Sequence, residues 1–481
     1  MALLAAVAGC GGTATPSPGA QPATPTALPV ATATSLPTPT ATAPPTAGPT
    51  PSPAASSAKR VTFKAGQVVD VQPGIFFADL TTGAIEGWQL PLHATGGDWA
   101  NQIAMASISP DGRFILYPAA GALDNWCDWN VLDTRTGKTC ALPEVRGWAG
   151  AFSPNGQTFL ATTAHGIALL PSDCTGDTYP LGLPVDEEVA FARWSPDGKA
   201  LLVVTQRNLP KGEAGLLVTT YLIALTLKEP TVVDRGQGRP VPPDWSPDGT
   251  LAVVAAPSGD NVQVVNRAGR TLWVTSLGVS SVRNRGWSPD GRSIILQADI
   301  YVRDGRSGIY AYILDAATGT TRFRVAEATA ACDQTWTADG SHFLVWNNGN
   351  PGSPHYLIAA DGSSLRQIDP DPRGYAAYLG LSPKEANRAV VHQWGPGPVS
   401  DSLKIIDLAT GQLTPLVSAA PTATLGWDSQ HPSRRWLSDG RLVFSTPHSG
   451  HGGCGRETAS ELRVEFPPFP EVQPVMPPGG K

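Results

Sequence analysis

The chain has 481 residues, of which only 15% are charged, while glycine (51) and proline (47) are both abundant. That composition favours many short strands and turns over long helices. The formal net charge is −6, and no Asp, Glu, Lys or Arg occurs between Met1 and Ala58. The acidity therefore belongs to the part that begins at Lys59, and it argues against nucleic-acid binding, which needs a basic face to neutralise phosphates.

The chain opens Met1-Ala-Leu-Leu-Ala-Ala-Val-Ala-Gly9-Cys10, an apolar run that ends in small residues just before a cysteine. This resembles the bacterial lipoprotein signal. The resemblance implies that residues 1–10 direct export and that Cys10 is acylated and becomes the mature N-terminus. The run departs from the usual pattern in lacking a positive n-region and in its short apolar core. Residues 11–58 are Thr, Pro, Ala and Ser with almost nothing large, so they cannot bury enough apolar surface to offset the entropy of ordering. They read as a disordered, extended stalk, similar in composition to mucin-like O-glycosylated stretches. No apolar run of about 18 residues follows, so the lipid is the expected membrane attachment. The expected location is the outer face of the cytoplasmic membrane or the cell envelope.

After the stalk come two short strands, Ile75–Leu80 and Ala84–Leu90, and then a recurring tetrapeptide. Its copies are Ser109-Pro-Asp-Gly112, Ser153-Pro-Asn-Gly156, Ser195-Pro-Asp-Gly198, Ser246-Pro-Asp-Gly249, Ser288-Pro-Asp-Gly291 and the variant Thr337-Ala-Asp-Gly340. Degraded copies stand at Ser382-Pro383-Lys384 and Ser438-Asp439-Gly440. Counted between first residues, the spacings are 44, 42, 51, 42, 49, 45 and 56, close to the length of a propeller blade. Pro suits the second position of a type I turn, Asp the third, and Gly the positive φ that follows, so each copy is a hairpin tip. A large apolar residue precedes every copy, among them Trp194, Trp245, Trp287 and Trp336, and a β-branched or apolar run such as Leu201–Val204 follows. A second signal, Asp133-Thr-Arg-Thr-Gly137 and its relatives at Asp79, Asp315 and Asp407, lies between the tetrapeptides. It supplies a second hairpin per repeat, hence four strands per repeat.

The Trp-Ser-Pro-Asp-Gly hairpin with its Asp-x-x-Thr-Gly turn resembles the TolB-type, WD-like propeller repeat, over roughly residues 61–466. The resemblance implies an all-β propeller of four-stranded blades over residues 59–470, followed by a Pro/Gly-rich tail at 471–481. It also implies that the repeat tryptophans pack between blades. Eight hairpins give eight blades if the pair Ile75–Leu80 and Ala84–Leu90 completes the blade begun at Ser438. The strand Glu461–Phe466 could supply that blade's outer part instead, and seven blades is the alternative.

Besides Cys10 the sequence has Cys127, Cys140, Cys174, Cys332 and Cys454, all disulfide candidates in an exported chain. Cys127 and Cys140 flank one hairpin, and Cys174 lies in the equivalent turn of the next repeat, so a bridge within a blade or between neighbours is open. Register from the Thr134–Gly137 turn sets Cys140 against Val131. His448, His451 and Cys454 in a Gly-rich stretch are weak metal candidates with no strong zinc spacing, and a solvent loop is the favoured reading.

No catalytic motif is present: there is no Gly-x-Ser-x-Gly, no His-Glu-x-x-His, no phosphate loop and no dinucleotide fingerprint. No catalytic residue and no cofactor is expected. The leading expectation is a binding or scaffold module for a cell-envelope protein or glycan. The alternatives are a propeller enzyme acting on a polysaccharide and a metal-handling protein. The loops that enter each inner strand hold the candidate binding rim: Asp98, Trp99, Arg146, Trp148, Glu187, Glu188, Arg193, Asp244, Arg283, Arg285, Asp333, Gln334, Tyr375, Tyr378 and Asp428. Loops on a rigid scaffold are where recognition usually resides.

Overall fold

The computed structural model describes residues 58–64, 68–69, 74–79, 82, 84–90, 106–118, 129–210, 215–226, 230–257, 259–279, 281–301, 307–326, 329–330, 336–346, 355–368, 375–394, 402–419, 436–446 and 463–465. These residues form eight sheets, antiparallel apart from one added edge strand, arranged as the blades of a propeller ring, and no helix occurs among them. Blade 1 holds Ser107–Ile108, Phe114–Pro118, Trp129–Asp133 and Lys138–Leu142, and blade 2 holds Val145–Phe152, Thr158–Thr163, Gly166–Pro171 and Tyr179–Pro180. Blade 3 follows with Glu188–Trp194, Ala200–Asn208, Leu216–Ala224 and Thr231–Gln237. Blade 4 comprises Asp244–Trp245, Leu251–Ala255, Asn261–Asn266 and Thr271–Ser276. Blade 5 comprises Ser281–Trp287, Ser293–Tyr301, Ser307–Asp315 and Thr321–Ala326. Blade 6 runs through Thr329–Ala330, His342–Trp346, His355–Ala359 and Leu365–Gln367, and blade 7 through Tyr375–Leu381, Arg388–Trp394, Ser402–Asp407 and Leu413–Ala419.

Blade 8 joins the two ends of the chain. Leu442–Thr446 pairs with Gly74–Ala78, which pairs with Ala84–Gln89, which pairs with Lys59–Lys64. Trp436 bridges to Leu442 where the inner strand would lie. The orphan pair predicted from the sequence thus completes the last blade, and the seven-blade alternative is overturned. The C-terminal strand is corrected as well. Arg463–Glu465 does not join blade 8 but pairs with Thr321–Ala326 at the outer edge of blade 5. A second extra strand, Val68–Val69, runs parallel to Leu413–Ala419 at the edge of blade 7.

The tetrapeptides fold as the sequence predicts. In the third copy the Gly198 N–H donates to the Ser195 carbonyl at 2.8 Å and Gly198 takes φ +70°. The serine does more than fill a turn position, which the sequence did not reveal. The Ser195 hydroxyl donates to Asp197 Oδ1 at 2.7 Å and accepts the Ala200 N–H at 2.9 Å, tying both ends of the turn to a side chain that is fully buried. The same pattern holds at Ser109 and Ser288.

The core lies between blades, because a sheet that stands radially must bury both faces. Strands such as Leu201–Val204 and Ile294–Leu296 are therefore continuous apolar runs, buried throughout. One cluster unites Phe114, Leu116 and Trp129 of blade 1 with Phe152 and Phe159 of blade 2, and comparable clusters fill the later seams. Trp245, Trp287 and Trp336 are buried in these seams, and Trp436 is buried as well. The Trp194 and Trp245 indoles each donate to the inner strand of the preceding blade, at Ala151 and Arg193 carbonyls (2.7 and 3.0 Å).

Candidate functional site

The antiparallel order divides each blade into two unlike ends. Both tight turns of a blade fall on one face of the ring, and the second-to-third-strand connections and the interblade connections fall on the other. On the turn face successive blades stack closely: a Cβ at Gly198, Gly291 or Gly340 would lie 3.5 to 3.8 Å from the proline of the preceding turn. On the loop face the connections vary in length from blade to blade, from the short link between Thr163 and Gly166 in blade 2 to the span from Pro118 to Trp129 in blade 1. First strands of blades 1 to 5 neighbour one another in succession, so they form that part of the inner wall.

The structure sorts the predicted rim residues into different environments. Arg146 is exposed on the inner strand of blade 2, where its guanidinium donates to the Val145 carbonyl at 3.2 Å. Glu188 is exposed at the start of the inner strand of blade 3, and Arg283 is exposed on that of blade 5. Arg285, Tyr375 and Tyr378 lie on the inner strands of blades 5 and 7. Asp98, Trp99, Asp333, Gln334 and Asp428 lie outside the described residues, as do Cys10, Cys127, Cys332, His448, His451 and Cys454.

Two rim candidates serve the interior. Trp148 is only half-buried but packs against the cluster of Leu160, Val189 and Tyr221 between blades 2 and 3. Glu187 is 4% exposed. Its Oε2 accepts the Thr205 hydroxyl at 2.5 Å and the Tyr221 phenol at 3.0 Å, which satisfies a carboxylate that burial would otherwise penalise. Desolvation, with Glu187 adding to it, pushes the Tyr221 phenol up to about 12. Beside this network, Asp186 at the surface pairs with Arg207 at 2.8 Å. Sequence reading missed Thr205, Tyr221 and Arg207. They sit on second and third strands, where Thr and Tyr are ordinary β-formers and nothing local marks a partner.

Arg193 and Asp244 lie on the neighbouring inner strands of blades 3 and 4. Burial pushes the Asp244 carboxyl up, and the Arg193 charge and backbone N–H groups of Trp245 and Trp287 pull it back. Asp244 thus reaches from its own blade to the inner strand of the next. Among the described residues no group of three or more His, Cys, Asp or Glu side chains could hold a metal ion.

Of the cysteines, Cys140 on the outer strand of blade 1 is bonded to Cys174 in a turn of blade 2, with their Cα atoms 6.6 Å apart. Cys140 faces Val131 across its own sheet, as the register predicts. The bridge therefore runs between blades.

No protein-family model matches the chain, and no curated protein matches it. Solved structures similar to it include a puromycin-hydrolysing peptidase of Mycobacterium tuberculosis, at 16% identity over 66% of this chain and 53% of that one, with a TM-score of 0.41. The chain therefore spans about half the length of that peptidase. The dihydro-haem d1 dehydrogenase NirN is similar at 13% identity over 74% of this chain and 78% of that one, TM-score 0.41. A eukaryotic initiation factor is similar at 15% identity over 84% and 96%, TM-score 0.43. At these identities and scores the likeness does not extend to activity or substrate.

Proposed function

We propose that the chain is an exported, lipid-anchored propeller that binds a cell-envelope protein or glycan through its loop face. The observation that carries this reading is the contrast between the two faces. The turn face is built of tight, mutually packed turns, whereas the loop face bears variable connections beside exposed Arg146, Glu188 and Arg283 on the inner strands. Variable loops on a rigid scaffold supply specificity without disturbing the core. The bond between Cys140 and Cys174 supports export, because such bonds persist in oxidising compartments.

The test is retention of envelope components by immobilised wild-type protein and by an Arg146→Ala/Arg283→Ala double variant, with the exposed turn-face residue Arg135 replaced by alanine as the control. The double variant should lose the retained component while keeping its melting temperature, and the control should retain it. Equal retention by all three proteins would overturn the assignment of the loop face. Trp148→Ala is a poor probe here, because it should also lower stability through the seam it packs against.

A further inference from the structure

The outer strands of the blades are not equally protected. An open strand edge exposes unpaired N–H and C=O groups that can template pairing with another chain, and proteins usually blunt it with charge, proline, short length or a covering segment. Here Arg463–Glu465, Val68–Val69 and Lys59–Lys64 are added beyond or as the outer strands of blades 5, 7 and 8. The outer strand of blade 2 is short and contains Pro180, that of blade 3 contains Asp234, Arg235 and Gly236, and that of blade 6 is short and ends in Arg366 and Gln367.

Blade 4 stands apart. Its outer strand reads Thr271-Leu-Trp-Val-Thr-Ser276, with no charge, proline or glycine. Trp273 pins it inward, its indole donating to the Ala316 carbonyl of blade 5 at 3.0 Å. Leu272 and Val274 remain 50% and 61% exposed, and Val232 on the neighbouring outer strand is 50% exposed. Among the described residues its one protective device is a bulge opposite Val264 and Val265.

We propose that this edge pairs with the same edge of a second copy of the chain, antiparallel about a two-fold axis, so that two blades form one continuous sheet. The charges at its ends decide the direction. Exposed Arg270 stands at one end, and Asp260, which accepts the Ser276 hydroxyl at 2.8 Å, stands at the other. Antiparallel pairing brings each Arg270 to the other copy's Asp260, whereas parallel pairing would set Arg270 against Arg270. A two-fold contact repeats this complementary pair. The apolar contribution comes from Leu272, Val274 and Val232, a small patch, so the dimer is weak and forms with rising concentration.

Sedimentation velocity of the full chain over roughly 1 to 100 µM tests this, a range in which a micromolar dimer converts from monomer to dimer. Val274→Lys should weaken association about tenfold or more at an unchanged melting temperature, as burying a lysine in an apolar contact requires. Arg270→Glu and Asp260→Arg should each weaken it, and the double exchange should restore it. A wild-type chain that stays monomeric at the top concentration would overturn the proposal. So would a Val274→Lys variant that associates like wild type, or a double exchange that fails to restore association.

Discussion

Ser438 in the last turn of the chain donates its backbone N–H to the carbonyl of Pro110 in the first, at 2.8 Å. This contact lies on the seam between blades 8 and 1, beside Leu437, whose side chain fills the space over Gly112. Leu437 is 3% exposed and packs with Ile75 and Phe77 of blade 8 and with Ile115 and Tyr117 of blade 1. Leu437→Ala should therefore destabilise the ring by about 2 to 4 kcal/mol, the range for a buried leucine whose cavity cannot fully collapse. Chemical denaturation is the measurement, and a loss below about 0.5 kcal/mol, the size typical of surface substitutions, would show that the seam contributes little.

The bond between Cys140 and Cys174 closes a loop of 34 residues. Chain-entropy arguments assign a loop of that length about 3 to 4 kcal/mol. Cys140→Ser and Cys174→Ser should each lower the melting temperature by the same amount, and added reductant should remove the difference between the wild type and either variant. Unequal losses would mean that one cysteine has a role outside the bridge.

In the third turn, glycine should matter more than aspartate. Gly198 occupies left-handed backbone at φ +70°, so Gly198→Val should cost about 1 to 3 kcal/mol. Asp197→Asn should cost less, because Asn155 already accepts the serine hydroxyl at the same place in blade 2, at 2.7 Å. Thermal melts of the two variants give the order directly.

That aspartate also sets an acid limit. Arg267, and then the Ser195 hydroxyl, hold the Asp197 carboxyl well below the usual carboxylate range. A group whose folded pKa is depressed stabilises the fold above its unfolded value, near about 4, and that contribution is lost as pH falls toward the folded value. The wild type should lose stability below about pH 4 more steeply than Asp197→Asn, as melts across pH 2.5 to 7 would show.

Asp234 should behave in the opposite sense. Its Oδ2 is buried with no hydrogen-bond partner among the described residues, and desolvation raises its carboxyl above the usual value. A raised carboxylate contributes most when protonated, and that contribution is lost as pH rises through the folded pKa. Asp234→Asn removes the charge and keeps the oxygen that accepts the Arg235 N–H. It should raise the melting temperature at pH 7 and lose that advantage at acid pH. A lower melting temperature at pH 7 would mean that the carboxylate has a stabilising partner.

Much of the fold was legible because its signals are local. The Ser-Pro-Asp-Gly spacing gave the hairpins, and alternating and continuous apolar runs gave the strands. The lone pair at residues 75–90 gave the closure of blade 8. These depend on backbone preferences within a few residues, so they can be read without knowing what lies across the seam. What only the tertiary structure decided is which groups meet within and between blades: Glu187 turned inward to Tyr221 inside blade 3, Asp244 reached toward Trp287 of the next blade, Cys140 was bonded to Cys174 across a seam, and Arg463–Glu465 went to blade 5. Each of these joins strands far apart in sequence, and its geometry comes from radial packing of whole sheets, which no local run of residues encodes.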